Sequence, residues 1–255
     1  MESKNIKKIF WKYVTMNVFG MIGISCYILA DTFFVARGIG ADGLTALNLA
    51  IPIYSFINGL GLMIGMGGAT RFSISKSKTV FTQSLYFTLM LSSLFFAAGL
   101  LLPNQLATLL GANKVTHQMT KTYLQVIMCF SPMFMLNNLM ICFVRNDGNP
   151  KLSMMAMLLG SFSNIILDYV FIFIFNMGMF GAAFATGIAP VVSLIVLSTH
   201  IITKKNSFKV EKGKPVLQVF YDISSLGVSS LITELSSGIV MIVFNTIILS
   251  YAGNL

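Results

Sequence analysis

Charge is scarce in this chain. Only 10% of its 255 residues are Asp, Glu, Lys or Arg, whereas an ordinary soluble domain carries about 25%, and so little charge cannot cover a water-facing surface. Cysteine and histidine are scarcer still. Cys26, Cys129 and Cys142 all lie inside apolar stretches with no metal or redox spacing, and read as small buried side chains. Neither His117 nor His200 has a metal partner at helical spacing, so each reads as a solvent or interface residue. No GxxxxGK[ST], HExxH or GxSxG occurs. ATP hydrolysis and zinc chemistry therefore have no local support, and no nucleophile–base constellation marks an enzyme.

What is present is hydrocarbon: 56% of the residues are apolar and the mean hydropathy is +0.82. The apolar residues fall in blocks of roughly 20, the length that crosses a bilayer as helix. Seven such segments occupy about 13–36, 44–69, 81–102, 121–144, 152–175, 180–202 and 221–250. Each is far longer than the ~10 residues of a barrel strand and lacks strict alternation, so an all-α membrane protein is expected. The start, MESKNIKKIFWKY, is basic and runs into an apolar stretch too long for a signal-peptide core, as an uncleaved first helix would.

A net charge of +9 and a pI near 9.5 would suit a phosphate-binding surface, but the positions of the charges argue against nucleic acid. Lys and Arg sit between apolar blocks. Fourteen of them share one side: Lys4, Lys7, Lys8 and Lys12, then Arg71, Lys76 and Lys78, then Arg145 and Lys151, then Lys204, Lys205, Lys209, Lys212 and Lys214. The other side has Arg37, Lys114 and Lys121. The positive-inside rule puts the N-terminus in the cytoplasm. Thr203–Val216 is the longest polar connection; it is either a linker between halves or a topogenic loop, and it suggests units at 1–202, 203–220 and 221–255. Laying the seventh segment on the first so that Asp31-Thr32 falls on Asn245-Thr246 brings Arg37–Gly40 near Tyr251–Asn254, a faint internal repeat.

Of eight acidic residues, only Asp31, Asp168 and Glu234 lie within apolar blocks. An ionisable group at membrane depth costs at least ~2.5–3.5 kcal/mol and usually faces a cavity. Tyr27 and Asp31 are four apart on the first segment, Asn164 and Asp168 four apart on the fifth, so each pair shares a helix face. Two carboxylates with amide, phenol and hydroxyl oxygens can bind Na⁺ or share a proton; alternatively each Asp only hydrogen-bonds a neighbouring helix. The glycines of Asn58–Gly68 are spaced for close helix contact. Seventeen Met and 22 Phe give adaptable apolar surface, most of which must face lipid or core.

Several segments in combination resemble the multidrug and toxic compound extrusion (MATE) family of secondary transporters: Ala30–Gly38, Gly65–Thr70, Arg145–Lys151, Asn164–Asp168 and Gly181–Thr186. The resemblance implies two six-helix lobes around a cavity, exchanging Na⁺ or H⁺ for an organic, often cationic, drug or metabolite across the plasma membrane, with no cofactor. It implies a cation site at Asp31, Asn164, Asp168 and Thr186, where Na⁺ would be the metal, lined by Tyr27 and Tyr123, and it matches Glu234 to an acidic proton or substrate position on the seventh helix. The chain departs from some relatives in having Met16 where the first helix would carry a bend-permitting proline. The fold implied is a six-helix transporter lobe plus the first helix of a second lobe. A missing C-terminal lobe or another chain is then expected to complete activity, because the seventh helix alone would leave Glu234 and Asn245 facing lipid. A lipid-linked precursor flippase of the wider superfamily and a non-transporting membrane assembly subunit are the alternatives; the acidic intramembrane charges favour cation coupling over a pyrophosphate-binding flippase.

The charge asymmetry yields a test of orientation. With the native cysteines replaced, Ser207→Cys is expected to react in whole cells only with membrane-permeant thiol reagents. Ready labelling by an impermeant reagent from outside would reverse the assigned topology.

Overall fold

The computed structural model describes the backbone over residues 2–252 and side chains over residues 7–240 and at Val243. The Asn245-Thr246 and Tyr251–Asn254 parts of the internal repeat therefore lie outside the described side chains. Nine α-helices follow one another among the described residues: α1 (Glu2–Gly38), α2 (Ala41–Ser75), α3 (Thr79–Leu101), α4 (Pro103–Leu109), α5 (His117–Cys129), α6 (Ser131–Asn146), α7 (Pro150–Tyr169), α8 (Gly178–Ile202) and α9 (Leu217–Ala252). Among those residues there is no strand. Among the described residues six helices are long and apolar enough to cross a membrane, or seven if the bent pair α5 and α6 is counted as one span. The protein is a multi-pass membrane protein.

Three local features differ from the sequence reading. The fourth apolar segment is two helices, bent by 48° at a break around Phe130. Pro132 in the first turn of α6 lacks an N–H and would clash with a carbonyl one turn back, so the helix restarts there instead of running through. The fifth segment ends in a π-helical turn, Val170–Ile174, directly after Asp168 and Tyr169; such turns often mark functional positions. Cys26 of α1 is exposed and Cys129 half-buried instead of buried, while Cys142 is buried as expected. The first helix, which has no proline, is unbroken from Glu2 to Gly38.

The packing centres on α2, which touches α3, α5, α6 and α9, while α7 lies between α1 and α8. The glycines of α2 make this crowding feasible. Gly61 and Gly65 lie against the α6 backbone at Met135 and Asn138. At the α2–α9 crossing the fit is reciprocal: a Cβ on Gly67 would overlap the Ile223 carbonyl, and one on Gly227 would overlap the Met63 carbonyl. Backbone approaches backbone there, which in hydrocarbon supplies van der Waals contact that larger side chains would prevent. One turn beyond, Arg71 Nη1 pairs with Asp222 Oδ2 at 2.7 Å and fixes the register of the same two helices.

The lysine-rich connection is strapped to the bundle. It is non-helical over 203–216, and residues 217–220 already belong to α9. Gly148, at φ 85°, reverses the chain after α6, and Asn149 then caps α7 by accepting from the Leu152 N–H at 3.3 Å. This turn presents Asp147, whose Oδ2 meets His200 Nε2 at 2.9 Å and accepts from the Ser207 N–H at 2.9 Å. Phe208 is then buried against Phe81 and Phe143, at ring-centroid distances of 4.6 and 5.4 Å. The Gln83 amide donates to the Lys214 carbonyl at 2.7 Å and accepts from the Val216 N–H at 2.9 Å. All five lysines point outward, and His200 is an interface residue.

Gly67→Ala and Gly227→Ala should each destabilise the protein by about 1–3 kcal/mol, the usual cost of overpacking. Thermal unfolding in detergent or nanodiscs should show the loss for each, and the double variant should lose less than the sum because both act at one crossing. Unchanged melting of both single variants would mean that the two helices do not cross this closely.

Candidate functional site

The site is assembled from four helices, each supplying side chains the sequence had singled out. Asp31 comes from α1, Tyr123 from α5, Asn164 and Asp168 from α7, and Thr186 from α8. All five are buried. Asp31 and Asp168 face each other across the α1–α7 contact within hydrogen-bonding reach. The hydrogen-bond pattern orients the Asn164 amide so that its nitrogen donates to Asp168 Oδ2 at 3.2 Å and its oxygen accepts from the Thr186 N–H at 3.3 Å. The Thr186 hydroxyl donates back to the Ala182 carbonyl at 3.1 Å, and the Tyr123 hydroxyl lies in reach of Thr186.

Two oxygens are left over. Asp31 Oδ1 and Asp168 Oδ1 are buried and have no hydrogen-bond partner among the described residues. Two ionised carboxylates this close, removed from water, repel each other and each loses hydration worth several kcal/mol, so the pair favours a bound proton or a small hard cation between them. The donor set fits such an ion: carboxylate, amide and hydroxyl oxygens, with no thiolate or imidazole. Among the described residues, no group of three or more His, Cys, Asp or Glu side chains could hold a metal, which argues against a zinc-type cage.

A cavity of about 180 Å³ opens beside this cluster, walled by Tyr27, Asp31, Tyr54, Tyr123, Thr186 and Glu234 together with Asn48 and apolar or small residues of α1, α2 and α9. Asp31 and Thr186 meet the cavity; Asn164 and Asp168 do not line it and sit fully buried on the α7 side. Glu234 of α9 is half-buried on the wall of the same cavity.

The sequence reading missed several polar groups here. The Tyr54 hydroxyl bonds the Tyr27 hydroxyl at 2.8 Å, and the Tyr54 ring packs edge-on against Phe134 with centroids 5.4 Å apart. Asn58 donates to the Tyr54 carbonyl at 3.2 Å and accepts from Asn138 Nδ2 at 3.1 Å. Tyr54 and Asn58 are four apart, the same spacing that drew attention to Tyr27 and Asp31, and that spacing was the available signal.

With this geometry in view, the comparisons with known proteins agree with one another. The MatE family model matches residues 17–170. The multidrug export protein MepA of Staphylococcus aureus (strain MRSA252) is 28% identical over 237 residues, covering 89% of this chain and 52% of that protein. The solved structure of the MATE multidrug transporter DinF-BH superposes with a TM-score of 0.86 at 25% identity, over 99% of this chain and 59% of that one. An inward-facing multidrug resistance MATE family transporter of the MOP superfamily gives 0.77 at 27% identity, over 88% and 53%. The chain thus spans about half the length of the curated relatives it matches. It belongs to the MATE family, whose members are membrane transporters and not enzymes.

Proposed function

We propose that this chain supplies one lobe of a cation-coupled antiporter that exports organic, cationic compounds by alternating access. The observation carrying the reading is the buried Asp31–Asp168 pair with one member on the wall of a cavity that also holds Glu234. When Na⁺ or a proton occupies the pair, Asp31 presents little net charge to the cavity, and a cationic substrate held there is released. When the ion leaves, the negative charge returns and draws the next cationic substrate in. Exchange then follows from competition for one carboxylate, with Asn164 and Thr186 fixing the pair and Tyr27 and Tyr123 lining it. The bands of charge orient the N-terminus and the Lys204–Lys214 loop toward the cytoplasm in the plasma membrane. Units at 1–202 and 221–255, joined by the basic segment, fit one lobe and the first helix of another, and the facing wall of the cavity would come from a second lobe or another chain.

Expressed from its full coding sequence in cells lacking other efflux pumps, the native protein should export a fluorescent cationic dye under an imposed Na⁺ or H⁺ gradient. Asp168→Asn should reduce that efflux at least about tenfold, the effect of losing one charged partner, with membrane abundance unchanged. Efflux at the native rate by this variant under the same gradient would show that the carboxylate pair is not the coupling site.

A further inference from the structure

The connection between α8 and α9 is fastened on one side and charged on the other. Phe208 is buried, and the backbone is tied to α3 at two places: the Glu211 N–H donates to Thr82 Oγ1 at 2.8 Å, and the Gln83 amide takes the Lys214 carbonyl and the Val216 N–H. These contacts lay residues 211–216 along the start of α3, directly after Lys76 and Lys78. Lys204, Lys205, Lys209, Lys212 and Lys214 are all exposed, and so are Lys76 and Lys78. The carboxylates nearby are engaged elsewhere: Asp147 holds His200, and Asp222 holds Arg71. Among the described residues no ion pair reaches any of the seven lysines. Glu211, half-buried, is the one acid within the connection.

Apolar side chains are mixed with this charge. Ile202, Val210, Val216 and Leu217 are exposed between or beside the lysines, and Tyr221 is exposed one turn into α9. Lysines interleaved with apolar residues at the ends of two membrane-crossing helices, with a tyrosine just inside, match the boundary between headgroups and acyl chains. A free phosphate would satisfy the lysines but leave those apolar side chains in water. A phospholipid satisfies both.

We propose that this connection, with Lys76 and Lys78, is a docking surface for anionic phospholipid of the adjoining leaflet, the lysines meeting headgroup phosphates and the apolar residues meeting the first methylenes of the acyl chains. Because Phe208 and the bonds to Thr82 and Gln83 already fix the backbone, binding orders lysine side chains and little else. The preference is local to the connection. Lys7, Lys8 and Lys12 stand on α1, which packs chiefly against α7, and do not contribute to it. Nor does it depend on what occupies Asp31 and Asp168.

The test is tryptophan quenching by brominated lipids in vesicles holding the purified chain. Trp11→Phe removes the single native tryptophan, and Tyr221→Trp or Leu101→Trp then places one reporter beside the connection or at the opposite end of α3. Brominated phosphatidylglycerol should associate about fivefold more strongly than brominated phosphatidylcholine near position 221, the scale of one lysine's attraction to an anionic leaflet. Near position 101 the two should agree within about twofold, since that attraction fades within a Debye length. Lys209→Gln/Lys212→Gln/Lys214→Gln should bring the ratio at 221 to within about twofold of unity, whereas Lys7→Gln/Lys8→Gln/Lys12→Gln, which removes the same charge, should leave it within about 1.5-fold of native. The Lys→Arg triple at 209, 212 and 214 should keep the native ratio, which separates lost charge from lost fold. A native ratio near unity at 221, an equal preference at 101, or equal losses in the two glutamine triples would overturn the docking surface. Loss of the preference in inorganic phosphate but not in NaCl of matched ionic strength would also overturn it, by showing that the lysines take free phosphate instead of lipid.

Discussion

Two carboxylates buried against each other are the constraint around which this bundle is organised. Asp31 and Asp168 come from helices far apart in sequence, α1 and α7, and neither would rest at membrane depth beside the other without a proton or cation to offset the repulsion. Asn164, one turn away on α7, donates to Asp168, and the Thr186 N–H on α8 in turn holds the Asn164 amide. What the chain leaves unsatisfied is as telling as what it satisfies: Asp31 Oδ1 and Asp168 Oδ1 are buried without a hydrogen-bond partner among the described residues.

The rest of the fold brings this pair to a cavity and gives the cavity a second acidic wall. Reciprocal backbone contact at Gly67 and Gly227, with Arg71 and Asp222 paired one turn on, sets α9 close against α2. That placement turns Glu234 toward the space that Asp31 faces. At the basic end, the Asp147–His200–Ser207 contacts and the buried Phe208 fasten the connection before α9 to the ends of α3, α6 and α8. The link between α8 and α9 is thus a fixed strap, and α9 itself is held along α2 by the Gly67–Gly227 backbone contact and the Arg71–Asp222 pair.

Much of this could be read from the chain alone, for identifiable reasons. Apolar blocks of bilayer length, with lysines between them, give helix number and location because lipid leaves the backbone no alternative. Asp31, Asp168 and Glu234 stood out because charge inside such blocks is rare. The break at Phe130 was hidden inside an apolar run of ordinary length, where Pro132 could equally have opened a kink within one helix. Tyr54 looked like any aromatic of a packed helix until the Tyr27 hydroxyl appeared opposite it. Phe208 sits in a lysine-rich stretch that reads as solvated, and its burial depends on Phe81 and Phe143, which only the tertiary fold brings near. The closeness of Asp31 to Asp168 likewise had no local signature; the family resemblance implied it, and the packing of α1 on α7 provides it.

The central claim is that Asp31 and Asp168 act as one site. Infrared difference spectroscopy of the chain in lipid, recorded on adding Na⁺ at a pH where the pair retains a shared proton, tests it most directly, because protonated and ionised carboxyl groups absorb separately. The account predicts a single carboxyl group losing its proton as the ion binds, with the signal absent in both Asp31→Asn and Asp168→Asn. Two separable carboxyl signals, each removed by only its own substitution, would show two independent side chains and contradict it.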